Sequence, residues 1–126
     1  MTRNAVLSPD AAAIGPYSPA VWSGDLVYLS GQTPIDPATT RLMEGDVAVQ
    51  TEQCFRNLFA VLGAAGLTPD HVVKVNVYLL DMADFAAMNT VYAAMFQKPY
   101  PARTTIGVAA LPLGARVEIE MVARQE

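Results

Sequence analysis

A chain of 126 residues has room for one domain, spanning 1–126, and for a core that hides about two thirds of its unfolded surface without covalent staples. One cysteine and one histidine exclude an intramolecular disulfide and the multi-histidine metal sites, so any catalysis has to come from carboxylates, arginine, hydroxyls or backbone. Twelve acidic against eight basic side chains give a formal charge of -4 with no run of Lys or Arg, which argues against a nucleic-acid partner.

Hydrophobic residues make up 52% and charged ones 16%, where soluble domains usually carry about a quarter charged. So thin a polar coat implies that part of the exterior meets other subunits. No apolar run approaches the length of a membrane span. Ser8, Pro9 and Asp10 interrupt the segment from Met1 to Tyr17, so it lacks the apolar region of a secretory signal. A soluble cytoplasmic protein is the expectation.

After a Pro-rich lead (Pro9, Pro16, Pro19), Ser23-Gly24-Asp25 divides Ala20 to Leu29 into two apolar runs, which predicts a hairpin. Gly31 and the Pro34, Asp36, Pro37 cluster stop the second strand and open an irregular loop through Gly45. From the N-cap candidate Asp46, Val47, Thr51, Cys54, Phe55, Leu58, Val61, Leu62 and Ala65 recur at helical steps until Gly66 and Thr68-Pro69 end the pattern. Val72 to Leu80 alternates with a period of two and reads as a strand. Asp81 and Asp84 start a second helix, whose face runs through Phe85, Met88, Tyr92, Met95 and Phe96. Pro99 and Pro101 close it, and Thr104 to Ala109 and Arg116 to Ala123 read as strands. The order of two strands, helix, strand, helix, two strands predicts an α+β layer with both helices on one sheet face. The other face, read as apolar, is left uncovered and needs a partner.

Cys54 and His71 could in principle form a nucleophile pair. Cys54, however, falls on the apolar helical stripe, where an inert buried thiol is expected, and His71 sits beside Asp70 in a solvated turn. Arg103 lies between a Pro-Ala entry and an apolar strand, so its base is fixed and its planar fork suits a small carboxylate; a solvent-facing arginine fits the same pattern. Glu118 and Glu120 share one face of the last strand. Symmetric pairing of the last two strands about Leu111-Pro112-Leu113-Gly114 would set Arg103 opposite Glu118, as a ligand site or as a surface ion pair. Two prolines stiffen the backbone around Tyr17, Gly31 permits a ligand to approach the main chain beside Ser30, and Asn89 lies at the edge of the second helix's apolar stripe.

Ile14-Gly15-Pro16-Tyr17, Tyr28-Leu29-Ser30-Gly31-Gln32, Asp84-Phe85-Ala86-Ala87-Met88-Asn89, Pro101-Ala102-Arg103 and Val117-Glu118-Ile119-Glu120 together resemble the reactive intermediate deaminase family, RidA or YjgF. The resemblance runs over nearly the whole chain. It implies a homotrimer of chorismate-mutase-like α+β subunits, sheets facing inward as a barrel, with clefts at the subunit interfaces. It also implies hydrolysis of 2-imino acids such as 2-iminobutanoate and 2-iminopropanoate to 2-keto acids and ammonia, with no cofactor and no metal. On that reading Arg103 clamps the substrate carboxylate, Glu118 activates water, Tyr17 lines the cleft near the imine, and Ser30, Asn89 and the backbone at Gly31 and Thr105 complete the pocket. Many such proteins carry cysteine where this chain has Thr105, a difference that bears on specificity. A deaminase for another enamine or imine, of aminomuconate or aminoacrylate type, and a non-catalytic module binding 2-keto acids or a macromolecular partner are the alternatives on this scaffold.

Overall fold

The computed structural model describes residues 2–9 and 15–126. Met1 and residues 10–14, which include Asp10 and the Ile14 that opens the Ile14 to Tyr17 motif, lie outside the described residues. Among the described residues, eight strands and two α-helices follow one another as β1 (Asn4–Val6), β2 (Ala20–Ser23), β3 (Leu26–Gln32), β4 (Ile35–Asp36), β5 (Arg41–Leu42), α1 (Val47–Ala64), β6 (Val72–Leu79), α2 (Phe85–Met95), β7 (Ala102–Gly107) and β8 (Val117–Arg124). Six of the strands form one sheet in the order β1-β2-β3-β8-β6-β7, antiparallel except where β6 and β7 run parallel.

Alternation decides which strands take the middle. In β6, Val75, Val77 and Leu79 are buried against the helices, and in β8 Val117, Ile119, Met121 and Ala123 are buried on the same side. Both helices cover this face, as the sequence implies. Asp46 caps α1 by accepting from the Val49 N–H at 3.1 Å. The helix ends at Gly66, whose φ of +78° lets the Leu67 N–H turn back to the Leu62 carbonyl at 2.9 Å. Phe55 on α1 meets Tyr92 of α2 and Phe96 just past its end edge-on, with ring centroids 5.6 Å apart in both pairs. Among the described residues no helix is long and apolar enough to cross a membrane.

Four features depart from the sequence expectations, and extra short strands are the first. Three-residue β1 adds an edge to the sheet, and β4 and β5 pair inside the segment expected to be irregular up to Gly45. Strands this short carry too few residues to show a period. The second helix begins with a 3₁₀ turn, Met82–Asp84, in which the Asp81 carboxylate accepts from the Ala83 N–H at 2.9 Å; the α-helix itself starts at Phe85.

The third departure matters most for the site: the last two strands form no hairpin. Between them lies β6, and Arg103 stands beside Val75 while Glu118 stands beside Tyr78. The reason is apolar content. The helix-facing positions of β8 are Val117, Ile119, Met121 and Ala123, whereas those of β7 are Arg103, Thr105 and Gly107. The more apolar strand takes the centre, and β7 is left at the edge. The fourth departure is the composition of the uncovered face, which sets Val21, Tyr28, Val122 and Ile106 among Lys74, Asn76, Thr104, Glu118 and Glu120. It is mixed, not apolar.

A polar row on α1 fixes the loop that follows β3. Buried Asn57 donates from Nδ2 to the Ile35 carbonyl at 2.9 Å and accepts from Gln53 Nε2 at 2.9 Å. Buried Gln50 donates to the Met43 carbonyl at 3.1 Å and accepts from the Arg116 N–H at 2.8 Å. The backbone from Ile35 to Met43 and the entry to β8 are thus held by side chains of one helix. Asn57→Ala leaves the half-buried Ile35 carbonyl and the Gln53 amide without this partner. It is expected to lower unfolding stability by about 1–3 kcal/mol, read as a shifted urea midpoint at unchanged slope.

Candidate active site

The β3–β8 ladder slips between Leu29, which pairs with Met121, and Gln32, which pairs with Ile119. This bulge falls on Ser30 and Gly31, and such irregularities redirect side chains beside binding sites. Gly31 leaves room there that any other residue would take: a Cβ would stand 2.9 Å from Oε2 of Glu118 and 3.2 Å from its Cδ. The absent side chain is what lets the carboxylate lie against the β3 backbone.

Glu118 lines a cleft of about 490 Å³ with Tyr17, Ser30, Gly31, Thr33 and Ile35, closed on another side by Pro112 and Leu113. Partial burial pushes its carboxyl above the ordinary carboxylate range, and the charge of Glu120 pushes it further. Asn76 Nδ2 donates to Glu120 at 3.2 Å. The Tyr78 phenol, hydrogen-bonded to Glu120, is raised by burial first and then by the two carboxylates. Tyr17 is carried by the stiff Gly15 to Pro19 arm, which Ser30 ties down. The Ser30 hydroxyl donates to the Ser18 carbonyl at 2.7 Å and its N–H to the Pro19 carbonyl at 2.9 Å. Below the bulge the buried Cys54 thiol donates to the Gln32 carbonyl at 3.2 Å, and burial followed by the Glu118 charge raises it well above its usual value. It is an inert support, as its place on the apolar stripe implies.

Arg103 belongs to a second cleft of about 550 Å³, lined with Asn89, Thr90, Tyr92, Ala93, Tyr100 and Pro101. Its Nη1 donates to Asn89 Oδ1 at 2.6 Å. Its guanidinium carbon sits 4.6 Å from the Tyr92 ring centroid and 5.6 Å from that of Phe85. Asn89 and the two rings hold the fork in one orientation. Thr105, two residues on, also shares the helix-facing side of β7, and its Oγ1 is buried with no hydrogen-bond partner among the described residues. It lines neither cleft.

Two groups of the expected residues are therefore brought together, and the groups are kept apart. Tyr17, Ser30, Gly31 and Glu118 share one cleft; Arg103 and Asn89 share the other. Arg103 lies on the helix-covered side and Glu118 on the open side of the sheet. Residues that the sequence reading missed are Thr33, Ile35, Pro112 and Leu113 in the first cleft, and the aromatic clamp of Phe85 and Tyr92 in the second. Tyr92 carries the one available signal, a phenol in an otherwise apolar helical stripe.

A family model described as endoribonuclease L-PSP matches residues 8–125. Protein DfrA of Myxococcus xanthus is 48% identical, over 98% of this chain and 96% of its own. A 2-iminobutanoate/2-iminopropanoate deaminase of Dermatophagoides farinae is 47% identical, over 86% of this chain and 85% of its own. Among solved structures, RidA from the Antarctic bacterium Psychrobacter sp. superposes with a TM-score of 0.93 at 47% identity, covering 98% of this chain and all (100%) of that one. The fold, the ordered motifs and these matches agree, and the chain belongs to the YjgF/RutC/RidA family.

Proposed function

We propose that the chain is a hydrolytic deaminase converting small 2-imino acids, 2-iminobutanoate and 2-iminopropanoate among them, to 2-keto acids and ammonia. The observation that carries this reading is the partly buried Glu118 carboxylate, cleared by Gly31 and pushed toward neutrality by its surroundings. Relatives at 47% identity that are named for this reaction support it. Imines hydrolyse readily in water, so the demand on the protein is modest: fix the substrate, and place a water with a base beside it.

In the proposed mechanism, Arg103 receives the substrate carboxylate in its fork while Glu118 takes a proton from the water that attacks C2. The C–O bond forms as the C=N π pair moves to nitrogen, which takes up the proton held by Glu118. In the carbinolamine the hydroxyl proton passes by way of Glu118 to the nitrogen as the C–N bond breaks, so ammonia leaves and the carbonyl forms. Tyr17 lies on the arm beside that position. Since Arg103 and Glu118 occupy different clefts on opposite sides of one sheet, the proposal requires two copies of the chain, the β7 edge of one laid against the Glu118 cleft of the next. A closed trimer satisfies this with three equivalent sites.

Threonine dehydratase supplied with threonine, with semicarbazide as a trap for the released imine, gives the direct test. Added chain is expected to suppress semicarbazone formation, and unchanged trapping rejects the reading. Arg103→Ala is expected to lower kcat/KM about a hundredfold, and Glu118→Gln about a hundredfold to ten-thousandfold, through kcat. The base acts when ionised. Because burial and the Glu120 charge raise the Glu118 carboxyl, activity should climb with pH through a limb lying above that of an ordinary carboxylate, and Glu118→Gln should abolish that limb.

Two further outcomes follow from the geometry. Arg103→Ala and Glu118→Gln chains, each lowered about a hundredfold or more alone, are expected to recover about one quarter of native activity when dissociated, mixed in equal amounts and reassembled, because one interface in four then pairs an intact Arg103 with an intact Glu118. Recovery at background level rejects the shared site. Gly31→Ala pushes on the far end of a flexible side chain, so thermal unfolding should change little. Displacing the carboxylate by about an ångström should still cost about a hundredfold in kcat/KM.

A further inference from the structure

The turn that leads into β8 has a feature the chemistry above leaves unused. Leu113 has a φ of +61°, a left-handed conformation that crowds any Cβ and is rare for a bulky side chain. Asparagine or glycine would hold the same turn with less strain. The strain does not serve the core, because Leu113 is 67% exposed. Nor is the turn loose: the Ala115 N–H donates to the Pro112 carbonyl at 3.1 Å, and Ala115 itself is fully buried. What the conformation achieves is to stand an isobutyl group, with Pro112 and Ile35, on the wall of the Glu118 cleft. Strain of this kind persists where it supports a site.

We propose that Leu113, together with Ile35, determines specificity by selecting 2-imino acids whose third substituent on C2 is an uncharged aliphatic chain. This rests on the reading of the Glu118 cleft as the imino-acid site. With the carboxylate at Arg103 and the attacking water at Glu118, the remaining substituent on C2 meets the apolar wall. A negatively charged chain would be repelled by Glu118 and Glu120; the chain's own lining offers no Lys or Arg to offset that, and the neighbour's Arg103 is already taken by the substrate carboxylate.

The test reads binding of the stable products, so it does not depend on turnover. Affinities are measured by calorimetry for pyruvate, 2-oxobutanoate, 4-methyl-2-oxopentanoate and the charged 2-oxoglutarate. For the native chain the dissociation constant is expected to fall about fourfold per buried methylene along the aliphatic series, with 2-oxoglutarate weakest. Leu113→Asn, which tolerates the left-handed turn, should fold with an unlowered midpoint and flatten the series, while Leu113→Met should restore its slope. A flat native series, absence of binding by any of the acids, or a Leu113→Asn series as steep as the native one overturns the assignment, whatever becomes of the oligomer. A steep series that depends on Leu113, in a chain that leaves the imine untouched, upholds the wall and sinks the deaminase reading alone.

Discussion

A period of two in the strands, and one strand set between two others, govern what this molecule can do. Because β6 separates β7 from β8, and because Arg103 pairs with Val75 while Glu118 pairs with Tyr78, the two groups best suited to bind and hydrolyse a small acid point to opposite sides of the sheet. No rotamer change closes that gap. Each half is nevertheless prepared. Asn89, Tyr92 and Phe85 hold the guanidinium in place, and Gly31 clears the space the carboxylate fills. Preorganisation of two half-sites that cannot meet within one chain is the physical argument for a second copy, and it places the demand on the β7 edge and the mixed open face.

Glu118 is held where its charge is disfavoured, by burial and by Glu120. Its folded-state pKa lies above the value of the unfolded chain, so between the two the folded state binds more protons. Stability from this group therefore declines as pH rises through that window. At neutral pH the carboxylate costs the fold something and, in the proposed reaction, serves as the base, the opposition expected where a base is tuned toward its working range. The surroundings are built to tolerate it: Asn57 and Gln50 fasten the neighbouring loop, Ser30 ties down the Tyr17 arm, and the Cys54 thiol meets the Gln32 carbonyl beneath the bulge.

Much of the layer architecture is legible in the sequence because long periodic segments report the face they bury. The alternation of Val75, Val77 and Leu79 and the helical spacing from Val47 to Leu62 give β6 and α1 almost to the residue, with Asp46 and Gly66 marking the ends. Strand order is another matter. A turn-like Leu111 to Gly114 between two strands reads as a hairpin, and only the competition for the sheet centre, won by Ile119 and Met121 over Arg103 and Thr105, shows that the chain crosses over β6 instead. Most candidate site residues are visible in the sequence: an arginine held behind Pro101-Ala102, two glutamates in an otherwise apolar strand, and a glycine near the end of another. Leu113 gives no such sign, since its meaning lies in a backbone angle rather than in its type.

The division of the site has a consequence for how activity depends on concentration. If the carboxylate clamp and the base belong to neighbouring copies, a dissociated chain keeps both half-sites intact and performs no reaction, so turnover per chain follows assembly by mass action. Imine hydrolysis suits this arrangement because the uncatalysed reaction is already fast, and orientation across an interface is enough to improve on it. Half of the backbone polar groups of β7 point away from β6 into space that an approaching copy would fill. The edge left over when the more apolar strand took the sheet centre thus becomes, in the proposed assembly, the surface that completes the neighbour's cleft.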